Sequence, residues 1–427
     1  MEPGPVQVTF GEAFRFWLKL GFISFGGPTG QIAIMHQELV EKRRWISEGR
    51  FLHALNYCMV LPGPEAQQLA TYIGWLMHRT WGGIVAGGLF VLPSVFILIA
   101  LSWIYVTYGN VPLVAGIFYG IKPAVVAIVL AAAWRIAQRA LKHLALWGVS
   151  AAAFVAIFAF DAPFPAIVLV AGILGYLGGR FLPRIFSSGN AHAKSGSYGP
   201  ALIDDETPTP AHALFSWRKL VAYMATGLAL WTLVIGALAV AGGWDSTLAQ
   251  MGLFFSKAAL LTFGGAYAVL PYVFQGAVEQ YGWLTAPQMI DGLALGETTP
   301  GPLIMVVAFV GYLGAGTAGA LVATWFTFLP SFIFIFMGAP FVETTHGNLK
   351  FSAPLAGITA AVVGVIVNLA LFFAWHVFWP GGWDGRFDWI SALIGAAAFA
   401  ALFRYKIGVM PVIGACALAG LAVTLLR

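Results

Sequence analysis

Charge is what this sequence has least of. Asp, Glu, Lys and Arg make up 9% of its 427 residues, where a soluble globular domain carries about 25%. With 60% hydrophobic residues and a mean hydropathy of +0.85, a chain folded in water could not hide its apolar surface. A soluble fold is therefore excluded, and a polytopic membrane protein is expected. Cysteine is nearly absent. Cys58 and Cys416, each inside apolar sequence, supply neither a disulfide framework nor thiolate metal spacing. The histidines are scattered, with no pair at metal-ligand spacing, so no metal or other cofactor is expected. No GxxxxGK[ST] motif occurs, which argues against an ATP-driven pump. No nucleophile–base constellation stands in apolar sequence, so no enzyme is expected. Met1–Phe10 lacks a basic opening stretch, so no cleaved leader is expected either.

What the chain does have is long apolar runs of ~17–29 residues, the length of a helix crossing about 30 Å of hydrocarbon, without the short alternation of barrel strands. The net charge of +5 fits Lys and Arg gathered in cytoplasmic loops and implies no nucleic-acid partner. The fold class read from this is an all-α polytopic membrane protein.

The chain also repeats itself. Phe25-Gly26-Gly27, Trp45 and Pro62-Gly63-Pro64 return 238 positions later as Phe263-Gly264-Gly265, Trp283 and Pro300-Gly301-Pro302, with Lys19 and Lys257 in the same register. Pro93-Ser94 and Gly120-Ile121 return 237 positions later as Pro330-Ser331 and Gly357-Ile358. We read a first repeat at 1–182, a polar and exposed linker at 183–216, an extra transmembrane helix at 217–246 and a second repeat at 247–427. Within each repeat the first two apolar segments are interrupted by Gly-Gly or Pro-Gly-Pro, through which no helix runs straight. The piece after the second interruption, Leu303–Leu313, spans roughly half a bilayer.

Loop charge sets the topology. Lys42, Arg43, Arg44 and Arg50 follow the first broken segment, whereas Val273–Gln288 has no Lys or Arg. The two copies are thus expected to face opposite sides. If the broken segments are re-entrant, that cluster shares a side with Arg135, Arg139 and Lys142. The expectation is about nine crossings and four hairpins, about 13 apolar segments in all, with five crossings separating the repeat starts so that the repeats are inverted and meet near the midplane.

A helix that starts at mid-membrane leaves unpaired amides and the positive end of its dipole facing inward, which suits an anion. The candidate binding residues are therefore Gly26, Gly27, Pro62, Gly63, Pro64, Gly264, Gly265, Pro300, Gly301 and Pro302. The rival reading is that these residues only kink or pack helices. Lys19, Lys122 and Lys257 are candidate cations for the same site, since intramembrane lysine is costly; the alternative is snorkelling to an interface. Glu65, directly after the first Pro-Gly-Pro, and Glu297, three residues before the second, are proton-coupling candidates, or else members of structural salt bridges. Glu65 aligns with Leu303, so the two copies are not equivalent here.

With these motifs in place the chain resembles the chromate ion transporter family, of the long duplicated type. The resemblance rests on Phe25-Gly26-Gly27-Pro28, Pro62-Gly63-Pro64, Leu261-Thr262-Phe263-Gly264-Gly265-Ala266-Tyr267 and Thr298-Thr299-Pro300-Gly301-Pro302. Ala266 stands where the first copy has Pro28. The resemblance implies export of chromate from the cytoplasm across the cell (inner or plasma) membrane, driven by membrane potential or proton gradient, and hence chromate resistance. Sulfate is the expected competitor, the lipid bilayer the expected surround, and a homodimer one assembly the sequence allows. The rivals are a carrier for sulfate or another oxyanion, and a passive anion channel. A chromate reductase would need a redox cofactor or paired thiols, which Cys58 and Cys416 do not form.

Overall fold

The computed structural model describes residues 8–186, 198–263, 265–345, 352–382 and 384–426. Among these the regular structure is helical, apart from one isolated β-bridge between Ile46 and Ile203. The first repeat holds α1 (Phe10–Ile23), α2 (Gly27–His36), α3 (Glu48–Cys58), α4 (Glu65–Tyr108), α5 (Pro112–Ala140), α6 (Leu144–Phe160) and α7 (Phe164–Phe181). A short turn, α8 (Pro183–Phe186), and the extra helix α9 (Trp217–Gly242) follow. The second repeat holds α10 (Thr247–Leu261), α11 (Ala266–Phe274), α12 (Ala286–Thr298), α13 (Val306–Thr345), α14 (Ser352–Phe378), α15 (Trp389–Phe403) and α16 (Val409–Leu426).

Local chemistry starts and stops these helices. Thr9 and Glu12 form a capping box at α1, and Thr285 and Gln288 form one at α12, each satisfying two otherwise orphaned amides. The chain leaves α1 at Ser24, whose hydroxyl donates back to the Leu20 carbonyl at 2.6 Å, and leaves α10 at Thr262, which donates to Ala258 at 2.7 Å. Both α2 and α11 end in a π-helical turn, Gln37–Lys42 and Gln275–Gln280. The amide of Trp45 closes the first on Leu39 and that of Trp283 closes the second on Ala277, each at 2.8 Å. The repeated tryptophans thus mark the same structural corner twice.

Neither α4 nor α13 is a single rod. The backbone leaves the helical region at His78 and Arg79 in α4, and at Ala315 and Gly316 in α13. Arg79 takes a left-handed φ of 56° where the second copy places Gly316 at 61°. Each break turns the chain back on itself, and glycine makes the close return fit: Gly74 packs on Gly82 and Ala86, and Gly311 on Gly319. The piece from Leu303 to this turn matches the eleven-residue half-helix read from sequence.

The two repeats interlock. α6 and α7 pack on α14 of the other repeat, while α15 and α16 pack on α5. Gly120 of α5 meets the backbone of Cys416 and Gly420, and Gly357 of α14 meets that of Ala171 and Gly175, the small-residue contacts that let membrane helices approach closely. Seven segments among the described residues are long and apolar enough to cross a membrane: Glu65–Tyr108, Pro112–Ala140, Phe164–Phe181, Trp217–Gly242, Leu303–Glu343, Ala353–Phe378 and Val409–Leu426. Their outer faces carry exposed apolar side chains such as Phe96, Leu169, Leu233 and Val240, which only lipid accommodates at this density. This is an all-α, multi-pass membrane protein.

The linker departs from the exposed strap expected. Its stretch from 198 onward docks on the first repeat, with Ala201, Ile203 and Ala213 buried. Leu202 and Ile203 donate to the carbonyls of Arg44 and Trp45, Ser47 donates to Asp205, and Arg50 donates to the Thr207 carbonyl. Asp205, though exposed, faces the Ser47–Gly49 helix start, where a negative charge is favoured.

Candidate functional site

The two Pro-Gly-Pro turns meet the two helix breaks crosswise. The Gly63 amide donates to the carbonyl of Thr262, at the end of α10, and the Gly301 amide donates to the carbonyl of Ser24, at the end of α1, both at 2.8 Å. Thr262 and Ser24 occupy corresponding positions of the repeats, so the contact is reciprocal, as a two-fold relation requires. Only glycine suits these turns. Gly63 and Gly301 have φ of 131° and 100°, and Gly26, Gly27 and Gly265 have 89°, 69° and 98°, values that L side chains rarely adopt. Gly264 lies outside the described residues.

Four helical starts therefore converge in pairs inside the molecule: α4 beside α11, and the 3₁₀ turn Leu303–Met305 that opens α13 beside α2. Among the described residues no side chain caps any of the four, which leaves their first amides available to a ligand. Pro62, Pro64, Pro300 and Pro302 thus shape turns rather than contribute donors. Around Gly301 lie Ser94 and Gln31, whose amide nitrogen donates to the Gly301 carbonyl. Around Gly63 lie Ser331 and Gln68, which donates to the Pro62 carbonyl at 2.8 Å. Gln31, Gln68, Ser94 and Ser331 are buried. Among the described residues the Oε1 atoms of both glutamines and the Oγ atoms of both serines have no hydrogen-bond partner. Buried polar atoms without partners are costly, and here they gather around the two glycines.

The two acids sit on the α4–α11 side of this arrangement. Glu65 opens α4, and its Oε1 lies 4.0 Å from where a Cβ on Gly265 would stand. Glu297 is buried and accepts a hydrogen bond from Tyr267 of α11. Two exposed arginines one turn apart on α5 reach toward them: the charge of Arg139 acts on Glu65, and that of Arg135 on Glu297 and Tyr267. Leu303 stands where Glu65 would be in the second copy, so the pair around Gly301 has no carboxylate at its helix start.

The three lysines fare differently. Lys19 and Lys257 are exposed on corresponding faces of α1 and α10. Among the described residues neither joins a Pro-Gly-Pro turn by hydrogen bond or ion pair. The charge of Lys19 acts instead on Glu38 of the α2 π-turn. Lys122 pairs with Asp291 of α12 at 3.3 Å, and Tyr105 of α4 donates to the same Asp291 oxygen at 2.8 Å. Its counterpart toward the other end is Arg50 of α3, which pairs with Glu343 of α13 at 2.8 Å while Tyr72 donates to Glu343. His53, the repeat partner of Asp291, contacts the carbonyl of Val342, the repeat partner of Tyr105. A polar lock thus ties α12 to α4 and α5 toward one end, and α3 to α13 toward the other.

Sequence reasoning missed both locks and the unpartnered serines and glutamines. Ser94 and Ser331 were visible as a repeated Pro-Ser pair but carried no charge to signal a site. Asp291 stands alone in the apolar run Met289–Leu295, which was signal enough to mark it. Among the described residues no group of His, Cys, Asp and Glu is placed to hold a metal.

Known proteins are similar to this chain in sequence. The family profile described as chromate transporter matches residues 11–176 and 249–421. A chromate transport protein of Pseudomonas aeruginosa is 34% identical over 429 residues, covering 98% of this chain and 94% of that protein. One of Cupriavidus metallidurans is 30% identical over 400 residues, covering 93% of this chain and 89% of that protein. No solved structure matches. Two matched halves, each carrying the broken helices described above, place the chain in the chromate transporter family.

Proposed function

We propose that this protein is a secondary active carrier that exports chromate from the cytoplasm, using the proton gradient or membrane potential, and so confers chromate resistance. The observation that carries the reading is the crosswise docking of Pro-Gly-Pro turns on helix breaks, with Gly63 on Thr262 and Gly301 on Ser24. It gathers uncapped helix starts at the meeting of two repeats, where transporters of this kind hold anions. Helix amides and serine hydroxyls recognise any tetrahedral dianion, so sulfate competes. The locks Arg50–Glu343 and Lys122–Asp291 join helices of the two repeats toward either end, which supports a carrier over an open channel. The proposed topology has the linker, Lys42–Arg44 and Arg139 in the cytoplasm, nine crossings, four re-entrant hairpins, and inverted repeats. Lys19 and Lys257 would raise the local anion concentration from exposed positions.

Radiolabelled chromate flux into inside-out vesicles tests this, with and without a proton gradient and with excess sulfate. Energised uptake inhibited by sulfate is expected. Absence of chromate flux under every gradient would remove the substrate.

A further inference from the structure

We propose, resting on the carrier reading, that the Glu65 carboxylate is a tethered stand-in for the transported oxyanion: it occupies the cradle between the starts of α4 and α11 and must be neutralised before a dianion can enter.

The geometry points to this rather than to a salt bridge. Glu65 is the first residue of α4, and among the described residues no side chain caps that helix or α11. Its Oε1 reaches to 4.0 Å from the Cβ position of Gly265, so one carboxylate stands beside the starts of both helices, whose dipoles favour negative charge. Among the described residues no Lys or Arg lies within ion-pair distance of it. A second observation marks the same place as built for oxygen ligands. Ser331 of α13 sits over Gly63, buried, and among the described residues its hydroxyl has no partner, leaving it free to donate to an oxyanion.

The other pair of helix starts has matching glycines and Ser94 but Leu303 in place of Glu65. It therefore lacks the stand-in.

The charge balance follows from Coulomb's law. A dianion and a carboxylate at contact distance repel strongly where water is excluded. The groups facing Glu65 do not cancel that repulsion. Arg139 of α5 acts from an exposed position and forms no ion pair with Glu65 among the described residues, and the Cys58 thiol of α3 brings no positive charge. Entry of the dianion thus requires one proton on Glu65, and exit lets the carboxylate return and the proton leave, so the two travel in the same direction and the net negative charge exported follows the membrane potential. Anion movement is coupled to proton movement at this residue.

The test is equilibrium binding of radiolabelled chromate to the purified full-length protein, over an alkaline pH series in which chromate stays a dianion. For the wild type, affinity is expected to fall about tenfold per pH unit, as one linked proton requires. Glu65→Gln is expected to bind at least as tightly with no pH slope, and its vesicle flux to be insensitive to the proton gradient at a fixed membrane potential. Glu65→Asp is expected to keep the slope, and Glu65→Ala gives the slope-free readout if the amide variant is not monodisperse. A Glu65→Gln protein that keeps the wild-type slope, or that is folded yet loses chromate binding, overturns the proposal. A wild type that binds no chromate at any pH overturns the carrier reading itself, which is a distinguishable result.

Discussion

At the scale of single residues, Gly63 bears the most constraint. It combines a φ of 131° with a place where a Cβ would stand 2.6 Å from the Gln68 amide nitrogen. A left-handed non-glycine residue costs about 1–3 kcal/mol, and the crowding adds to that. Gly63→Ala is expected to insert into the membrane but lose at least about 1 kcal/mol of stability and most chromate flux, read by thermal unfolding and vesicle uptake. Lys257 is exposed and joins no ion pair among the described residues. Lys257→Met is thus expected to leave the melting temperature unchanged while lowering flux; unchanged flux would make it an interfacial anchor. The glycines and prolines of the breaks were legible because each residue type has a backbone requirement of its own. The unpartnered Ser94, Ser331, Gln31 and Gln68 were not, because small neutral polar residues acquire meaning only from what surrounds them.

At the scale of elements, the helix ends decide the behaviour. The Arg50–Glu343 pair joins α3 to α13 with side chains only 12% and 5% exposed. Removing one partner of a buried pair costs about 3–5 kcal/mol, because the other charge is left uncompensated. Glu343→Gln is expected to lower the melting temperature sharply and to increase labelling, from the cytoplasmic side, of a cysteine placed at Leu61. The docked linker adds a pH dependence outside the membrane. Burial lowers the pKa of His212 below its ordinary value, and its hydrogen bond to the Trp75 carbonyl only partly opposes this. The free linker then binds a proton more readily than the docked one. Docking is fully present above the ordinary histidine pKa of about 6.5 and weakens as pH falls below it. Hydrogen exchange across 198–216 is expected to accelerate on acidification, and His212→Gln to abolish that acceleration. Composition alone made this stretch look like solvent-exposed chain, since nothing in it reveals that Ile203 pairs beside Ile46 or that Ala213 is buried.

At the scale of the whole molecule, inversion of the repeats is the property most worth measuring. Arg43 and Tyr281 end the π-turns of the two repeats at corresponding places. Cysteines at Arg43 and at the adjacent Gln280 are expected to be labelled from opposite sides of the membrane. Labelling of both from the same side would overturn the inverted arrangement.

The sequence by itself determined that this chain lives in a membrane, that it is helical and duplicated, and where its helices break. Apolar run length, scarcity of charge and backbone-restricted residues act locally, so they can be read along the chain. Only the tertiary structure decided that each Pro-Gly-Pro turn serves the opposite repeat, and that Lys122 faces Asp291. It also decided that Glu65 lies at the start of two helices rather than one. Those facts depend on bringing together positions more than 150 residues apart, such as Lys122 and Asp291 or Gly63 and Thr262. Residue spacing along the chain carries no information about such meetings.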